Sequence, residues 1–323
     1  MRCVHVIAMT VAAAVAPGAT PSPEEAVSKP LRCGIEMRNV TLHVQEGLAL
    51  RVTSLHGEFV SRRANSPPVF DDPDSYTLQI ASGEFVMDTP TLSRLLQEQV
   101  FNDPKSPISN ATLEMRDGKV HIEGRLRKGI VVPFSMSADV SASADGRMRL
   151  HASSLKAVGI PVKGMLDLFG VELQNLMKLP AASGIRAEGD DLLVDPFAML
   201  PPPATEGRVK SVAIVGDRLV MTAFGPSKPP AKPARRPDPS ARNFMYFHGG
   251  IITFGKLTMR DADLQLIDAD PRDAFDFFPA HYSEQLVAGY SRNTPRGGLR
   301  VLMPDYDQVH KSGARLKPPK VGG

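Results

Sequence analysis

The chain has 323 residues, of which 42% are hydrophobic and 23% are charged. This composition is typical of a globular protein, and the length allows one large domain or two average ones. The formal net charge of +3 is close to neutral for such a chain and does not favour a nucleic-acid partner. The lack of tryptophan leaves few aromatic platforms on which bases or sugars could stack.

Residues 1–16 are predicted to be a signal peptide. Arg2 precedes an apolar run over residues 4–15, and Ala14-Val15-Ala16 suits cleavage. The alternative is an uncleaved N-terminal anchor, although the run is shorter than the roughly 20 residues that a spanning helix needs. We therefore expect an exported protein of the periplasm or cell envelope, with a flexible leader over residues 17–32. Removal of the signal would leave Cys33 as the one thiol, so no intramolecular disulfide is expected.

The fold is predicted to start near residue 33 with β-strands. Apolar residues alternate over residues 35–44 with one register break, and alternation resumes after Glu46-Gly47. A polar, proline-containing loop is expected over residues 61–74. Ser82-Gly83 is flanked by further alternating residues and is interpreted as a turn between two strands.

The first predicted helix covers residues 91–101. Asp88-Thr89-Pro90 supplies a side-chain cap and a proline at the helix start. Leucines at 92, 95 and 96 share one face of this helix. A second helix, predicted over residues 162–179, carries a wider apolar face that a sheet must cover; its members are Met165, Leu166, Phe169, Leu173 and Leu176.

Two β-hairpins are predicted between these helices. Asp117-Gly118 and Asp145-Gly146 are turn signals, and the residues around each alternate between apolar and polar. The third of these four strands carries Val132, Phe134 and Met136 on its apolar side. The expected fold class is therefore α+β, with a long curved antiparallel sheet wrapped around two main helices.

The C-terminal third differs in character. Residues 225–243 contain six prolines and are basic, so they are predicted to be a solvated linker or a long loop. Residues 244–307 form a β-rich extension, interpreted as a continuation of the same sheet that covers an open edge. Residues 308–323 are predicted to be a polar tail.

No known catalytic constellation is present in the sequence. The nucleophile elbow, the His-Glu-x-x-His zinc motif, the P-loop and the dinucleotide fingerprint are all missing. An aspartate run could supply calcium ligands, but it lacks the glycine and final glutamate of an EF-hand, and a turn explains it more simply. We expect no catalytic residue, metal or cofactor. The run consists of Asp261, Asp263, Asp268, Asp270, Asp273 and Asp276.

Arg125, Arg127 and Lys128 lie at the end of one central strand. Charges that alternate with apolar residues are first of all the solvated face of a sheet. The alternative is that these cations attract anionic lipid headgroups or a membrane surface.

The central part of the sequence resembles the LmeA-like family of bacterial exported phospholipid-binding proteins, which is similar to tubular lipid-binding (TULIP-like) proteins. The matching segments are LEMRDGKVHIEGRL, ADVSASADGRMRL, KAVGIPVKGMLDLFGVELQNL and GIRAEGDDLLVD. The resemblance covers residues 33–224, which we predict to be a lipid-binding-like α+β domain. It implies a curved antiparallel sheet around helices, with an apolar groove for acyl chains and no catalytic residues.

These observations predict a non-enzymatic lipid-binding or carrier protein whose partner is a lipid with acyl chains. The first alternative is a structural or protein-interaction module of the envelope with a solid core. A hydrolase with an unfamiliar site around His248 and the aspartate run is a weaker alternative. The predicted groove residues come from both helices and the third hairpin strand: Leu92, Leu95, Leu96, Val132, Phe134, Met136, Met165, Leu166, Phe169, Leu173 and Leu176.

Overall fold

A computed structural model describes residues 29–98, 108–128, 130–157, 184–225 and 237–318. Of these residues 59% are in strands, which form two sheets. The eleven strands of the large sheet are β1 (Arg32–Gln45), β2 (Leu48–Ser61), β3 (Tyr76–Asp88), β10 (Ala204–Glu206), β11 (Arg208–Val215), β12 (Arg218–Phe224), β13 (Phe244–Phe254), β14 (Leu257–Asp268), β15 (Phe275–Phe277), β16 (Tyr290–Asn293) and β17 (Leu299–Met303). The six of the small sheet are β4 (Ile108–Arg116), β5 (Lys119–Lys128), β6 (Ile130–Ala142), β7 (Met148–Ala157), β8 (Ile185–Glu188) and β9 (Asp191–Val194).

The large sheet is mixed rather than purely antiparallel. Its main path runs β11-β12-β3-β2-β1-β13-β14-β17-β16, and β17 pairs with β14 in parallel. Two short strands, β10 on β3 and β15 on β1, are also parallel to their partners. The small sheet runs β4-β5-β6-β7-β9-β8 through antiparallel pairs. The described residues therefore form a mostly-β protein with two sheets, where one antiparallel sheet was predicted.

Three short α-helices are described: α1 (Thr89–Leu96), α2 (Tyr282–Ala288) and α3 (Tyr306–Ser312). The predicted start of the first helix is confirmed, because the Asp88 carboxylate accepts a hydrogen bond of 2.9 Å from the backbone N–H of Thr91. The helix predicted over residues 162–179 lies outside the described residues.

The expected polar tail begins inside α3. Tyr306 is 5% exposed and packs edge-on against Phe278, with ring centroids 5.1 Å apart. The N–H of Asp307 donates to Asp276 at 3.0 Å. The polar sequence after Gln308 did not reveal this helix because its anchor is one aromatic side chain and a distant carboxylate.

Both predicted central hairpins are confirmed. β4 and β5 pair across Asp117-Gly118, whose φ angles of 53° and 72° fit the tight type I′ turn. β6 and β7 pair across a longer connection that contains Gly146. The alternating apolar residues of these strands are buried on one face of the small sheet, as the pattern indicates.

The turn predicted at Ser82-Gly83 is wrong, since β3 is one continuous strand through both residues. The pairing of β2 with β3 instead shifts register between His56 and Gly57. A Cβ atom at Gly83 would lie 2.8 Å from the Phe85 ring and 3.2 Å from the carbonyl oxygen of Ser54. This glycine serves a close approach between strands, which a sequence pattern cannot distinguish from a turn.

The C-terminal strands belong to the large sheet. β13 pairs with β1 from Gly34 to Arg38, and β15 takes over as the partner of β1 from Val40 to Leu42. Phe247, Phe275 and Phe277 of this section are fully buried. The section thus supplies a large share of the aromatic core of the molecule.

We expect a protein truncated after residue 225 to lose its cooperative fold. The truncation would leave one edge of β1 without hydrogen-bond partners and would remove the buried phenylalanines of β13 and β15. Size-exclusion chromatography and near-ultraviolet circular dichroism should show aggregated protein without fixed aromatic packing. A truncated protein that is monomeric and unfolds cooperatively would contradict this assignment.

Candidate functional site

Among the described residues, an apolar cavity lies between one face of the large sheet and residues 195–203, which we call the strap. Its volume is about 70 Å³. The sheet side comes from β1, β2, β3 and β12, and Thr205 lies at the end of the strap. The lining side chains are Met37, Leu42, Val44, Leu50, Val52, Leu55, Leu78, Ile80, Phe85, Met87, Pro196, Phe197, Leu200, Pro201, Pro203, Thr205 and Met221.

The strap is held at its start by Asp195. Its backbone N–H donates to the Gly184 carbonyl at 2.7 Å, and its carboxylate accepts from the N–H groups of Phe197 and Ala198 at 3.1 Å each. Prolines occupy positions 196 and 201–203, so much of the strap has no backbone donor to satisfy. Such a segment can cover an apolar surface without leaving unpaired N–H groups.

A smaller cavity of about 20 Å³ lies where α1 meets the inner face of the small sheet. Met87 and Pro196 line this cavity as well as the larger one. We call the two cavities together the slot. The side chains of the smaller cavity are Met87, Leu92, Leu95, Leu96, Leu113, Val120, Met148, Leu150, Val194, Pro196 and Met199.

The lining of the slot is almost wholly apolar. Among the described lining residues, Thr205 alone has a polar side chain, and its hydroxyl already donates to the Pro203 carbonyl at 3.1 Å. The described part of the lining therefore holds no carboxylate, imidazole or thiol that could act as acid, base or nucleophile. Five methionines line the slot, and their unbranched side chains adapt readily to an irregular apolar ligand: Met37, Met87, Met148, Met199 and Met221.

The slot is narrow. An apolar cavity that takes up benzene has a volume of about 150 Å³, about twice that of the larger cavity. An acyl chain could enter only if methionine side chains or the strap moved aside. Phe197 holds the strap down through an edge-to-face contact with Phe85, at a centroid distance of 5.9 Å.

The predicted groove residues divide into three groups. The leucines of α1 at 92, 95 and 96 line the smaller cavity. Val132, Phe134 and Met136 are buried in β6, at 6–9% exposure, but line neither cavity. Met165, Leu166, Phe169, Leu173 and Leu176 lie outside the described residues.

The strap and the large-sheet wall of the slot were not predicted from the sequence. The strand residues of this wall alternate as expected, but nothing local shows that they face a cavity rather than a filled core. The sequence of the strap does indicate that this segment packs against the protein. Phe197, Met199 and Leu200 stand among four prolines, and large apolar side chains are unusual in a solvated loop.

Arg125 and Arg127 are exposed side chains of β5. They alternate with the inward-facing Val120 and Ile122, so they lie on the opposite face of the small sheet from the smaller cavity. The side chain of Lys128 lies outside the described part of the structure. These cations would therefore meet a headgroup or membrane on the outer surface and not inside the slot.

The aspartate run does not converge on one point, because Asp263 and Asp270 have partners of their own while Asp268, Asp273 and Asp276 lie near Asp305. Asp263 pairs with Arg300 at 2.8 Å, Asp270 pairs with Arg272, and Asp276 lies 2.5 Å from His43. Among the described residues no group of three or more His, Cys, Asp or Glu side chains could hold a metal ion.

His248 does not form a catalytic pair with Cys33. Burial, followed by the nearby charge of His56, lowers the pKa of His248, and its ring packs directly against Gly34. Burial raises the pKa of the Cys33 thiol to about 12, so this thiol is protonated and unreactive.

The sequence matches no protein-family model, and neither a curated protein nor a solved structure proved similar to the chain. The resemblance to the LmeA-like family therefore stays a prediction. No helix within the described residues is long and apolar enough to cross a bilayer.

The burial of the Asp305 carboxyl group, directly before α3, can be tested through the pH dependence of stability. Burial raises its pKa to about 7, the N–H of Asp276 at 2.8 Å opposes that rise, and the charges of Asp268, Asp273 and Asp276 add to it. An unfolded aspartate has a pKa of about 3.9. The folded state therefore binds the proton more tightly, and the contribution of Asp305 to the free energy of unfolding should fall as pH rises from about 4 to about 7.

We expect Asp305→Asn to flatten this decline, because asparagine stays neutral and can still accept the bond from Asp276. Urea unfolding between pH 4 and pH 8 measures it. Asp307→Asn, an exposed change in the same helix, should leave the slope as it is. An unchanged slope in Asp305→Asn would mean that the carboxyl is ionised in the folded protein.

Proposed function

We propose that the protein is an exported, non-enzymatic lipid-binding or carrier protein that buries acyl chains in the slot between its two sheets. The observation that carries the proposal is the lining. Side chains of the large sheet and the strap line the larger cavity, those of α1 and the small sheet line most of the smaller one, and among the described lining residues Thr205 alone is polar.

The energetics support an acyl ligand. Each buried methylene contributes about 0.8 kcal/mol, so a chain needs no hydrogen bond to bind in such a slot. A branched or polar ligand would meet a narrow passage with no free donor. The methionine side chains would change rotamer to fit the acyl chain. The packing contacts that they lose as they move would be the main free-energy cost of binding.

The finer architecture is part of the proposal. We infer that the large sheet curves around α1 and around the helix predicted over residues 162–179, as the LmeA-like resemblance implies. An export signal over residues 1–16 would deliver the protein to the periplasm or cell envelope. No cofactor enters the proposed activity.

A protein-interaction module with a solid core is the second candidate. The small volume of the slot favours it, as do Leu286 and Val287 on the outer side of α2, which are 40% and 70% exposed. Such a protein would use its surface and would carry no lipid. Native mass spectrometry of protein purified without detergent separates the two candidates, since only a carrier would retain a bound lipid.

We expect Leu42→Phe to weaken acyl-chain binding about ten-fold or more. Leu42 is half-buried and lines the larger cavity, so a phenylalanine there would occupy the space of two or more methylenes. Displacement of a fluorescent fatty acid measures the affinity. The matched change Leu257→Phe, at a site 49% exposed and outside the slot, should leave binding unaltered. Equal affinities in both variants would place the ligand elsewhere.

We expect Arg125→Ala/Arg127→Ala to weaken binding to phosphatidylglycerol vesicles. A cation near an anionic surface contributes about 1 kcal/mol, so each lost charge should lower the affinity about five-fold. Vesicle flotation measures the effect, and neutral phosphatidylcholine vesicles should show none. Arg292→Ala/Arg296→Ala removes two exposed arginines from the other sheet, one in its edge strand β16 and one in the turn that follows. A similar loss in that control would indicate unspecific attraction of the whole protein.

A further inference from the structure

Met87 stands between the two cavities. Among the described residues, Met87 and Pro196 are the two that line both of them. Met87 is 4% exposed, comes directly before the cap of α1 and lies opposite Leu219 of β12. The larger and the smaller cavity therefore meet at one methionine and one proline.

The two partition residues differ in freedom. The ring of Pro196 is fixed in the strap directly after Asp195, whose carboxylate binds the next two N–H groups. Met87 has an unbranched side chain with three rotatable bonds, and a change of rotamer would move its terminal methyl group out of the passage. Met87 is thus the part of the partition that can open.

We propose that Met87 sets the length of the acyl chain that the protein accepts. The inference rests on the proposed lipid-binding function. A chain that enters the larger cavity reaches Met87, and its further methylenes can be buried only if this side chain leaves the passage. Beyond it the leucines of α1 and the inner face of the small sheet offer an apolar extension of the slot.

The geometry favours an unbranched chain as the occupant. The cavities of about 70 Å³ and about 20 Å³ share a single wall rather than forming one wide chamber. A bulky ring system would require both to widen at once. Once the methionines or the strap have moved aside to admit a linear chain, its passage from the larger cavity to the smaller one needs the displacement of one further side chain.

The experiment compares three methionine-to-alanine variants across saturated fatty acids from octanoate to stearate. Met87→Ala opens the partition. Met221→Ala enlarges the larger cavity alone, and Met148→Ala enlarges the smaller one alone. All three side chains are 2–4% exposed, so similar packing is lost in each variant. Circular dichroism and thermal unfolding establish that each one folds, and Met87→Val removes less volume in case the alanine variant does not.

We expect Met87→Ala to shift the preferred fatty acid to a longer chain, with a gain of about four-fold in affinity for each further methylene that enters. Met87→Val should shift it in the same direction by less. Met221→Ala should change the affinities for all chain lengths by a similar factor, because the partition stays in place. Met148→Ala should leave the affinities of chains that end at Met87 unchanged, because these chains do not reach the smaller cavity.

The outcomes separate this inference from the proposed function. If the wild-type protein binds fatty acids and the four variants share its length preference, Met87 does not set the length and the inference is overturned. An equal shift in Met221→Ala would also overturn it. If neither the wild-type protein nor any variant binds a fatty acid, the proposed function itself fails.

Discussion

The pairing of β1 on both of its edges is the constraint on which the rest of the structure depends. β2 covers one edge along nearly its whole length, while β13 and then β15 cover the other. The change of partner occurs at Asn39, which has a positive φ of 54°. Asparagine tolerates this conformation better than most residues. Its side chain accepts a hydrogen bond from Arg51 and donates one of 2.5 Å to Asn243, so the switch point is tied to both neighbours of β1.

This switch keeps the apolar residues on a single face. Met37 and Leu42 are five residues apart in β1, yet both line the same cavity. In an uninterrupted strand, residues at an odd spacing point to opposite faces of the sheet. Leu55 and Leu50 show the same change directly opposite them in β2. Irregularities of this kind increase the twist and bend of a sheet. The strap covers part of this face and lines the larger cavity with its own apolar side chains.

The parts of the fold that local chemistry decides could be predicted from the sequence. Asp117-Gly118 specifies its turn through two positive φ angles, and Asp88 with Pro90 specifies the start of α1. Gly83 was misinterpreted because a glycine that allows two strands to approach has the same sequence signature as a glycine in a turn. The mixed sheet depends on distant pairings such as that of β15 with β1, which are more than two hundred residues apart. Helix α3 depends on the contact of Asp307 with Asp276, about thirty residues away. Alternation carries no information on such pairings.

The candidate site was hidden for a related reason. Leucines and methionines line the slot, and the same residue types fill the core. Only the packing of the folded protein therefore distinguishes the slot from the core. Leu92 was predicted to lie in a groove and does line the slot, whereas Phe134, from an equally apolar strand, is simply buried. Under the proposed function, selectivity would draw little on hydrogen bonds, because Thr205, the one polar side chain among the described lining residues, already donates to the strap. It would come from the shape and length of the slot, which are set by side chains that can change rotamer. The methionines, which give the sequence no recognisable motif, are for that reason the residues best suited under the proposed function to decide which acyl chains enter.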